Sequence, residues 1–345
     1  MEPATLTNLL GLGLGLLYGF IANRSGFCFL AGVRALAAHE SNRQLRSFTL
    51  AMMSALALTQ LLVAYAGLDN LDESVYLAAA PNLVVIVIGA AIFSLGMVLA
   101  NGCPNRHLVL LGEGNLRSLM VLLVLGISAY MTFKGLFALP RMDLGEATAL
   151  DIGVRDLPQA LELLGLPAAR LVAVIAILLL LGVFLFCSGW FKPHNLAKSW
   201  DGLIIGACIA SAWYITGVLG IDEFDPQPPE SLTFTVPMGE ALLYLMTFTG
   251  STLGFMTSVI GGVLVGSLGN ALLSGRFELR AFDNGSGQML RMLFGALLMG
   301  IGGVMALGCT IGQGLSGLGA LSIGSLVAMA TFYLFTYWLL RRLGK

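Results

Sequence analysis

Long apolar stretches separated by short polar segments run along nearly the whole chain. Four pieces, at 26–37, 103–111, 237–249 and 309–320, are too short to cross a bilayer alone and are typical of intramembrane half-helices. The others are long enough to span, or nearly span, about 30 Å of hydrocarbon: 6–22, 47–67, 83–102, 116–137, 170–190, 201–220, 252–275, 289–308 and 322–340. The pattern predicts an all-α polytopic membrane protein with about nine transmembrane helices and four half-helices.

Composition supports a membrane environment. The chain has 345 residues, of which 57% are hydrophobic and 11% are charged, with a mean hydropathy of +0.88. A soluble domain carries about 25% charged residues, so too few charges are present here to cover a water-facing surface. The net charge of −1 argues against nucleic acid as a partner. The first segment lacks a cleavable signal pattern, and we expect it to be retained.

Basic residues mark alternate loops and predict an orientation. Acidic stretches at 69–73 and 222–230 contain no Lys or Arg. Because cytoplasmic loops of membrane proteins are enriched in Lys and Arg, nine crossings place the N-terminus outside and the C-terminus in the cytoplasm. Residues 138–169 then form an outer surface loop. The basic clusters are Arg34, Arg43 and Arg46; Arg276, Arg280 and Arg291; and Arg341, Arg342 and Lys345.

One apolar motif that ends in Gly-Cys occurs twice, at 89–103 and at 295–309. The two copies have identical residues at the positions that are numbered in the first copy as Gly89, Ala90, Gly96, Val98, Ala100, Gly102 and Cys103. In the predicted topology the two copies run in opposite directions, which is typical of transporters built from inverted repeats. We therefore predict one transport domain with repeat 1 at about 1–137, a loop and linking helix at 138–199, and repeat 2 at about 200–345. Gly15 and Gly19 align more weakly with Gly202 and Gly206.

Cys28, Cys103 and Cys309 each come at or near the start of a short helix after a break. Unpaired N–H groups and the helix dipole favour an anion at such a point, and a thiol adds a weak donor and a soft sulfur. Weak donors along a path let an anion enter and leave. The alternative is that these cysteines are small core residues. No CxxC motif occurs and only three histidines are present, so we predict no metal site and no cofactor.

Other residues beside these cysteines are further candidates for the substrate pathway. Thr310 and Gln313 follow Cys309, and Asn105 follows Cys103. Arg24 lies in an apolar frame before Cys28, where an arginine is a functional candidate or snorkels to the interface. Gln313 alternatively bonds across a helix interface. Arg106 and Arg117 could collect an exiting anion or anchor the cytoplasmic side. The predicted pathway set is Cys28, Cys103, Cys309, Gly102, Gly308, Thr310, Gln313, Arg24 and Asn105.

Three motifs carry a resemblance to a known family. They are Ser25-Gly26-Phe27-Cys28-Phe29, Gly102-Cys103 followed by Gly112-Glu113-Gly114-Asn115, and Gly308-Cys309-Thr310-Ile311-Gly312-Gln313-Gly314-Leu315-Ser316-Gly317. Together they resemble the YeeE/YedE family of sulfur-transport membrane proteins over nearly the whole chain. The resemblance implies nine spanning helices with four short intramembrane helices, in inverted halves. It also implies uptake of thiosulfate or a similar sulfur-containing ion across the bacterial inner membrane, past Cys28, Cys103 and Cys309, with a TusA-like sulfur carrier as a cytoplasmic partner.

The motifs depart from the usual family pattern at two kinds of position. Asn101 and Leu307 replace the first glycine of Gly-Gly-Cys, and Pro104-Asn105-Arg106-His107 replaces smaller residues. Another sulfur or selenium species therefore stays open as the substrate. Two further hypotheses are a membrane thiol-redox protein and a channel subunit for uncharged solutes. We expect a transporter rather than an enzyme, in which the ion meets Cys309 near the outside, then Cys28, and then Cys103 near the cytoplasm.

Overall fold

A computed structural model describes residues 3–40, 43–78, 80–148, 153–165, 167–187, 199–221, 227–280 and 286–343. The described chain is helical, and its helix over Asp201–Tyr214 continues as a π-helical turn over Ile215–Leu219. The helices are α1 (Pro3–Ser25), α2 (Phe29–Ala37), α3 (Arg43–Tyr65), α4 (Leu83–Ala100), α5 (Pro104–Gly112), α6 (Leu116–Phe133), α7 (Ala138–Ala147), α8 (Leu157–Leu163), α9 (Ala169–Cys187), α10 (Asp201–Tyr214), α11 (Val236–Met246), α12 (Phe255–Leu273), α13 (Ser286–Met305) and α14 (Ile323–Leu343).

The predicted number of crossings is confirmed. Among the described residues, nine helical segments are long and apolar enough to cross a membrane. They contain α1, α3, α4, α6, α9, α10, α12, α13 and α14. The chain is therefore an all-α, multi-pass membrane protein.

Short helices occupy the places where the sequence has its shorter apolar pieces. α2 and α5 have nine residues each, and α11 has eleven. A further helical segment, 310–319, is π-helical over Gly312–Gly317. Left-handed residues end the helix before three of these segments, namely Gly26 (φ 67°), Asn101 (φ 62°) and Leu307 (φ 57°). Each lies two positions before a motif cysteine, so the same turn positions all three thiols.

Glycines let α4 and α13, the two helices of the duplicated motif, pack backbone to backbone. A Cβ atom on Gly96 would lie 2.5 Å from the carbonyl oxygen of Gly295. One on Gly89 would lie 2.6 Å from the amide nitrogen of Ala306. Because higher numbers on α4 meet lower numbers on α13, the two helices run antiparallel. Close backbone approach through small residues is the usual way in which membrane helices associate.

The weaker glycine pair in each half makes the same kind of contact in two other places. A Cβ atom on Gly19 of α1 would lie 2.7 Å from the Cα atom of Val263 on α12. One on Gly206 of α10 would lie 2.5 Å from the carbonyl oxygen of Ala51 on α3. The contacts of Gly15 with Val259 and of Gly202 with Ser47 show that both pairs run parallel. These directions are the ones that nine alternating crossings require.

The segment expected as a surface loop contains two helices. α7 buries none of its residues, and α8 begins with Pro158 in its first turn and Asp156 as its N-cap. Backbone hydrogen bonds from Leu157 to Leu321 and from Ile323 to Arg155 fix this segment to the start of α14. The Asp156 cap and Pro158 are the local reason for α8, whereas α7 has no side-chain cap. Residues 149–152, 166 and 188–198, which include parts of the predicted loop and linking helix, lie outside the described residues.

Candidate functional site

The three motif cysteines converge inside the helix bundle. Cys28, Cys103 and Cys309 are 6%, 1% and 0% exposed, and all three carry free thiols. Cys103 lies near enough to each of the other two for a charge on its sulfur to interact with it. The turns described above bring together residues that are far apart in sequence. A buried cluster of soft sulfur atoms and weak donors results.

Each cysteine stands immediately before the first turn of a short helix. Cys28 and Cys103 are the N-cap residues of α2 and α5, and neither helix has a side-chain cap. The carbonyl oxygens of Cys28, Cys103 and Cys309 accept the first helical bonds, from Gly32, His107 and Gln313 respectively. The first-turn N–H groups therefore lack helical acceptors, and they carry the positive end of the helix dipole. This arrangement favours an anion near each thiol.

Buried polar side chains surround the thiols. The Tyr18 hydroxyl, both side-chain polar atoms of Asn105 and the Thr310 hydroxyl make no hydrogen bond of ordinary geometry within the described residues. Tyr18 lies beside Asn105, Cys103 and Cys309, and Thr310 lies beside Cys103. A buried polar group without a partner costs about 1–3 kcal/mol. These groups therefore have hydrogen-bonding capacity to spare beside the thiols.

A second group of hydroxyls surrounds Cys309. The Thr233 Oγ1 atom lies 4.0 Å from the Cys309 sulfur. A Cβ atom on Gly312 would lie 2.6 Å from Thr233 Oγ1 and 2.9 Å from the Tyr76 hydroxyl oxygen. Glycine at position 312 thus leaves room for two hydroxyls beside the thiol. Tyr76 also lines a cavity of about 430 Å³, which brings a water-accessible space to the Cys309 end of the cluster.

One carboxyl lies near this end of the cluster. Glu230 precedes the buried segment 231–235 and lies close enough to Tyr76 to interact with it electrostatically. Burial, assisted by the neighbouring charge of Glu240, raises the pKa of Glu230 to about 7. Glu230 is therefore largely protonated in mildly acidic solution and becomes charged as the pH rises past neutrality. An approaching anion meets less repulsion when Glu230 is protonated.

The family of the chain follows from a comparison with known proteins. The family model described as sulphur transport matches residues 24–339. The chain belongs to this sulphur-transport family. The family predicted from the three cysteine motifs is confirmed. The match includes all three cysteines of the cluster.

Two relatives in the sulphur-transport family extend the likeness to nearly the full length. The chain is 29% identical to the thiosulfate transporter TsuA of Spirochaeta thermophila, over 96% of this chain and 98% of the relative. It is 28% identical to the thiosulfate transporter TsuA of Escherichia coli, over 89% of this chain and 86% of the relative. Both are transporters by name, so the chain belongs with transporters and not with enzymes.

The remaining predicted pathway residues fall in different surroundings. Gln313 is buried, and its amide donates to the carbonyl oxygen of Ala306 while its oxygen accepts from Ser325. Gly102 lies against the ring of His107, and Gly308 has a φ of 154° beside Thr233. Arg24 lies exposed in the last turn of α1. Gln313 thus links the turn before Cys309 to α14, and a pathway role for Arg24 stays a prediction.

Sequence reasoning missed the aromatic and hydroxyl members of the site. Tyr18 and Tyr76 lie in segments that look like ordinary membrane helix and loop, and Thr233 lies in an extended stretch before α11. Only the fold brings their hydroxyls to the thiols. No local signal marks Thr233 either, since polar and apolar residues simply alternate from Ser231 to Thr235.

Leu307 holds an unfavourable backbone conformation next to the site. Its φ of 57° is left-handed, which costs a residue other than glycine roughly 1–2 kcal/mol, and its side chain is 37% exposed. We therefore expect Leu307→Gly to raise the thermal unfolding midpoint, with a gain in stability of about 1 kcal/mol. Asn101→Gly is the matched control and should gain less, because Asn tolerates this conformation. A lower midpoint for Leu307→Gly would show that its side-chain contacts outweigh the strain.

Proposed function

We propose that this protein takes up thiosulfate, or a closely similar sulfur-containing anion, through a pathway lined by Cys309, Cys28 and Cys103. One observation supports this proposal above all. The three buried thiols converge at three helix N-termini, among buried polar groups that make no hydrogen bond of ordinary geometry within the described residues. Membership in the sulphur-transport family and the names of the two relatives favour thiosulfate as the substrate.

The chemistry of the cluster suits a divalent anion that must bind and then leave. Thiols, hydroxyls and backbone N–H groups are neutral donors. They therefore stabilise negative charge but bind an anion less strongly than a buried arginine would. The polarisable thiosulfate sulfur matches the soft cysteine sulfur atoms. Tyr18 and Asn105 offer further hydrogen bonds between Cys309 and Cys103. The ion exchanges its hydration shell for these groups in successive steps.

The direction of transport follows from the proposed topology. We place the protein in the bacterial inner membrane with the N-terminus outside and the C-terminus in the cytoplasm. Arginines at the ends of α2 and α14 support this orientation. Antiparallel packing of α4 on α13 supports two inverted repeats. Thiosulfate then meets Cys309 first, and Cys103 releases it towards a cytoplasmic TusA-like sulfur carrier.

Growth of a bacterium that lacks thiosulfate uptake tests this function. With thiosulfate as the sole sulfur source, expression of the intact chain should restore growth, whereas the empty vector should not. Growth on cysteine serves as the control for expression toxicity. Failure of an inserted, correctly expressed chain to restore growth, or to accumulate labelled thiosulfate, would contradict thiosulfate as the substrate.

A further inference from the structure

A cavity near the Cys103 motif is lined by cationic side chains. It encloses about 520 Å³ and is bordered by Arg34 of α2, Arg117 of α6 and Arg291 of α13. None of the described residues that line it is acidic. Three arginines from three different helices therefore border one space. Such a concentration of one sign of charge attracts anions and holds them at raised local concentration.

The same cavity reaches the Cys103 motif. Its lining includes Asn101 and His107, which lie two residues before Cys103 and four after it. His107 is only 2% exposed, and its Nδ1 atom lies 3.2 Å from the Ser118 hydroxyl. Its Nε2 atom makes no hydrogen bond of ordinary geometry within the described residues, and the backbone of Ala100 lies near the ring. A Cβ atom on Gly102 would lie 3.0 Å from that Nε2 atom. A buried imidazole nitrogen thus faces the junction between the motif and the cavity.

We propose that this cavity is a binding site for a tetrahedral oxyanion, held mainly by Arg34 and Arg291 with His107 at its inner end. The guanidinium fork matches the geometry of oxyanions such as sulfate and phosphate, and its hydrogen bonds to them are strengthened by charge. One water occupies about 30 Å³ in the liquid, so the cavity admits such an ion together with several waters.

Two sources could supply this oxyanion. The first is the transported ion itself after it leaves Cys103, a source that rests on the proposed function. The second is the phosphate headgroup of an anionic lipid, since Met292, Leu340 and Leu343 add apolar surface to the lining. Basic pockets between membrane helices bind such headgroups. Both sources present a tetrahedral group with anionic oxygens to the arginines.

The test uses radiolabelled sulfate and the full chain in nanodiscs of neutral lipid. Sulfate binding is measured on a background of Cys28→Ala, Cys103→Ala and Cys309→Ala, so that the thiols of the pathway cannot contribute. A failure of the proposed thiol pathway then cannot be mistaken for a failure of this site. Adding Arg34→Gln and Arg291→Gln should weaken sulfate binding by about tenfold or more, because two charge-assisted contacts are lost. The matched control adds Arg170→Gln and Arg280→Gln, two exposed arginines outside the cavity lining, and should leave binding unchanged.

Two further measurements identify the source of the oxyanion and check that the variants fold. In nanodiscs with anionic lipid, a headgroup in the cavity would lower sulfate binding in the arginine-containing chain only, and arginine-dependent retention of anionic lipid would confirm it. Unchanged sulfate binding in those discs would assign the site to the soluble ion. Circular dichroism and the unfolding midpoint verify that the glutamine variants fold. Equal sulfate binding and equal lipid retention in folded cavity and control variants would overturn the proposal.

Discussion

Cys103→Ala and Cys309→Ala should each reduce thiosulfate uptake by about ten- to a hundredfold. Each substitution removes a buried donor from a path whose polar groups have few other partners, and a lost hydrogen bond to a charged group costs about 1.5–3 kcal/mol. The measurement is uptake of labelled thiosulfate into liposomes that contain the purified chain. Cys28→Ala should have the same direction of effect, since Cys28 lies beside Cys103.

Cys187→Ala supplies the matched control for this first prediction. Cys187 ends α9, is exposed, and lies outside the cluster, so uptake should stay at the level of the unmodified chain. Serine at position 309 separates hydrogen bonding from sulfur chemistry, because it keeps a donor and removes the soft atom. Full uptake by both Cys103→Ala and Cys309→Ala, at matched amounts of folded protein, would remove the thiols from the mechanism.

Gly302→Ala should destabilise the protein by at least about 2 kcal/mol. The new methyl group would lie 2.6 Å from the carbonyl oxygen of Gly89, and it would also meet the backbone of Phe93. Backbone atoms cannot move aside as a flexible side chain can, so α4 and α13 must separate. Overpacking of this kind costs about 1–3 kcal/mol even where side chains can adjust. The midpoint of thermal unfolding in detergent and the yield of folded protein report the effect.

Gly269→Ala is the control for this second prediction. Gly269 lies inside α12, where an added Cβ atom would have no neighbour within 4 Å. Alanine should be tolerated there, because glycine in a helix interior is less favourable than alanine by roughly 0.5–1 kcal/mol. If Gly302→Ala were as stable as the unmodified chain, the close packing of α4 on α13 would be wrong.

Much of the fold could be predicted from hydropathy alone. A spanning helix needs about 20 apolar residues, and few other structures can cross the hydrocarbon core. The nine crossings and their alternating directions follow from that constraint. The helices at 138–147 and 157–163 were missed, because short polar helices depend on caps and tertiary contacts and carry no strong periodicity. Asp156 and Pro158 were the only local signals there.

The candidate site was predictable only as far as local motifs reach. The positions of the three cysteines at helix starts could be predicted, because the sequence directly shows the helix break that precedes each of them. Tyr18, Tyr76 and Thr233 were not predictable, because their relation to the thiols is set by helix packing between distant segments. Gln313 is an instructive case, since its partners Ala306 and Ser325 come from the turn before it and from α14. A polar residue in a motif can thus hold the backbone of a site.

The most direct test of a cysteine-lined pathway is to locate the substrate inside the protein. Selenosulfate, in which selenium replaces the outer sulfur of thiosulfate, gives an anomalous diffraction signal in crystals of the full chain. The account predicts selenium peaks within the cluster of Cys309, Cys28 and Cys103, and their loss in a Cys103→Ala, Cys309→Ala variant that still crystallises. Peaks that lie only outside this cluster, or that persist unchanged in the variant, would contradict it.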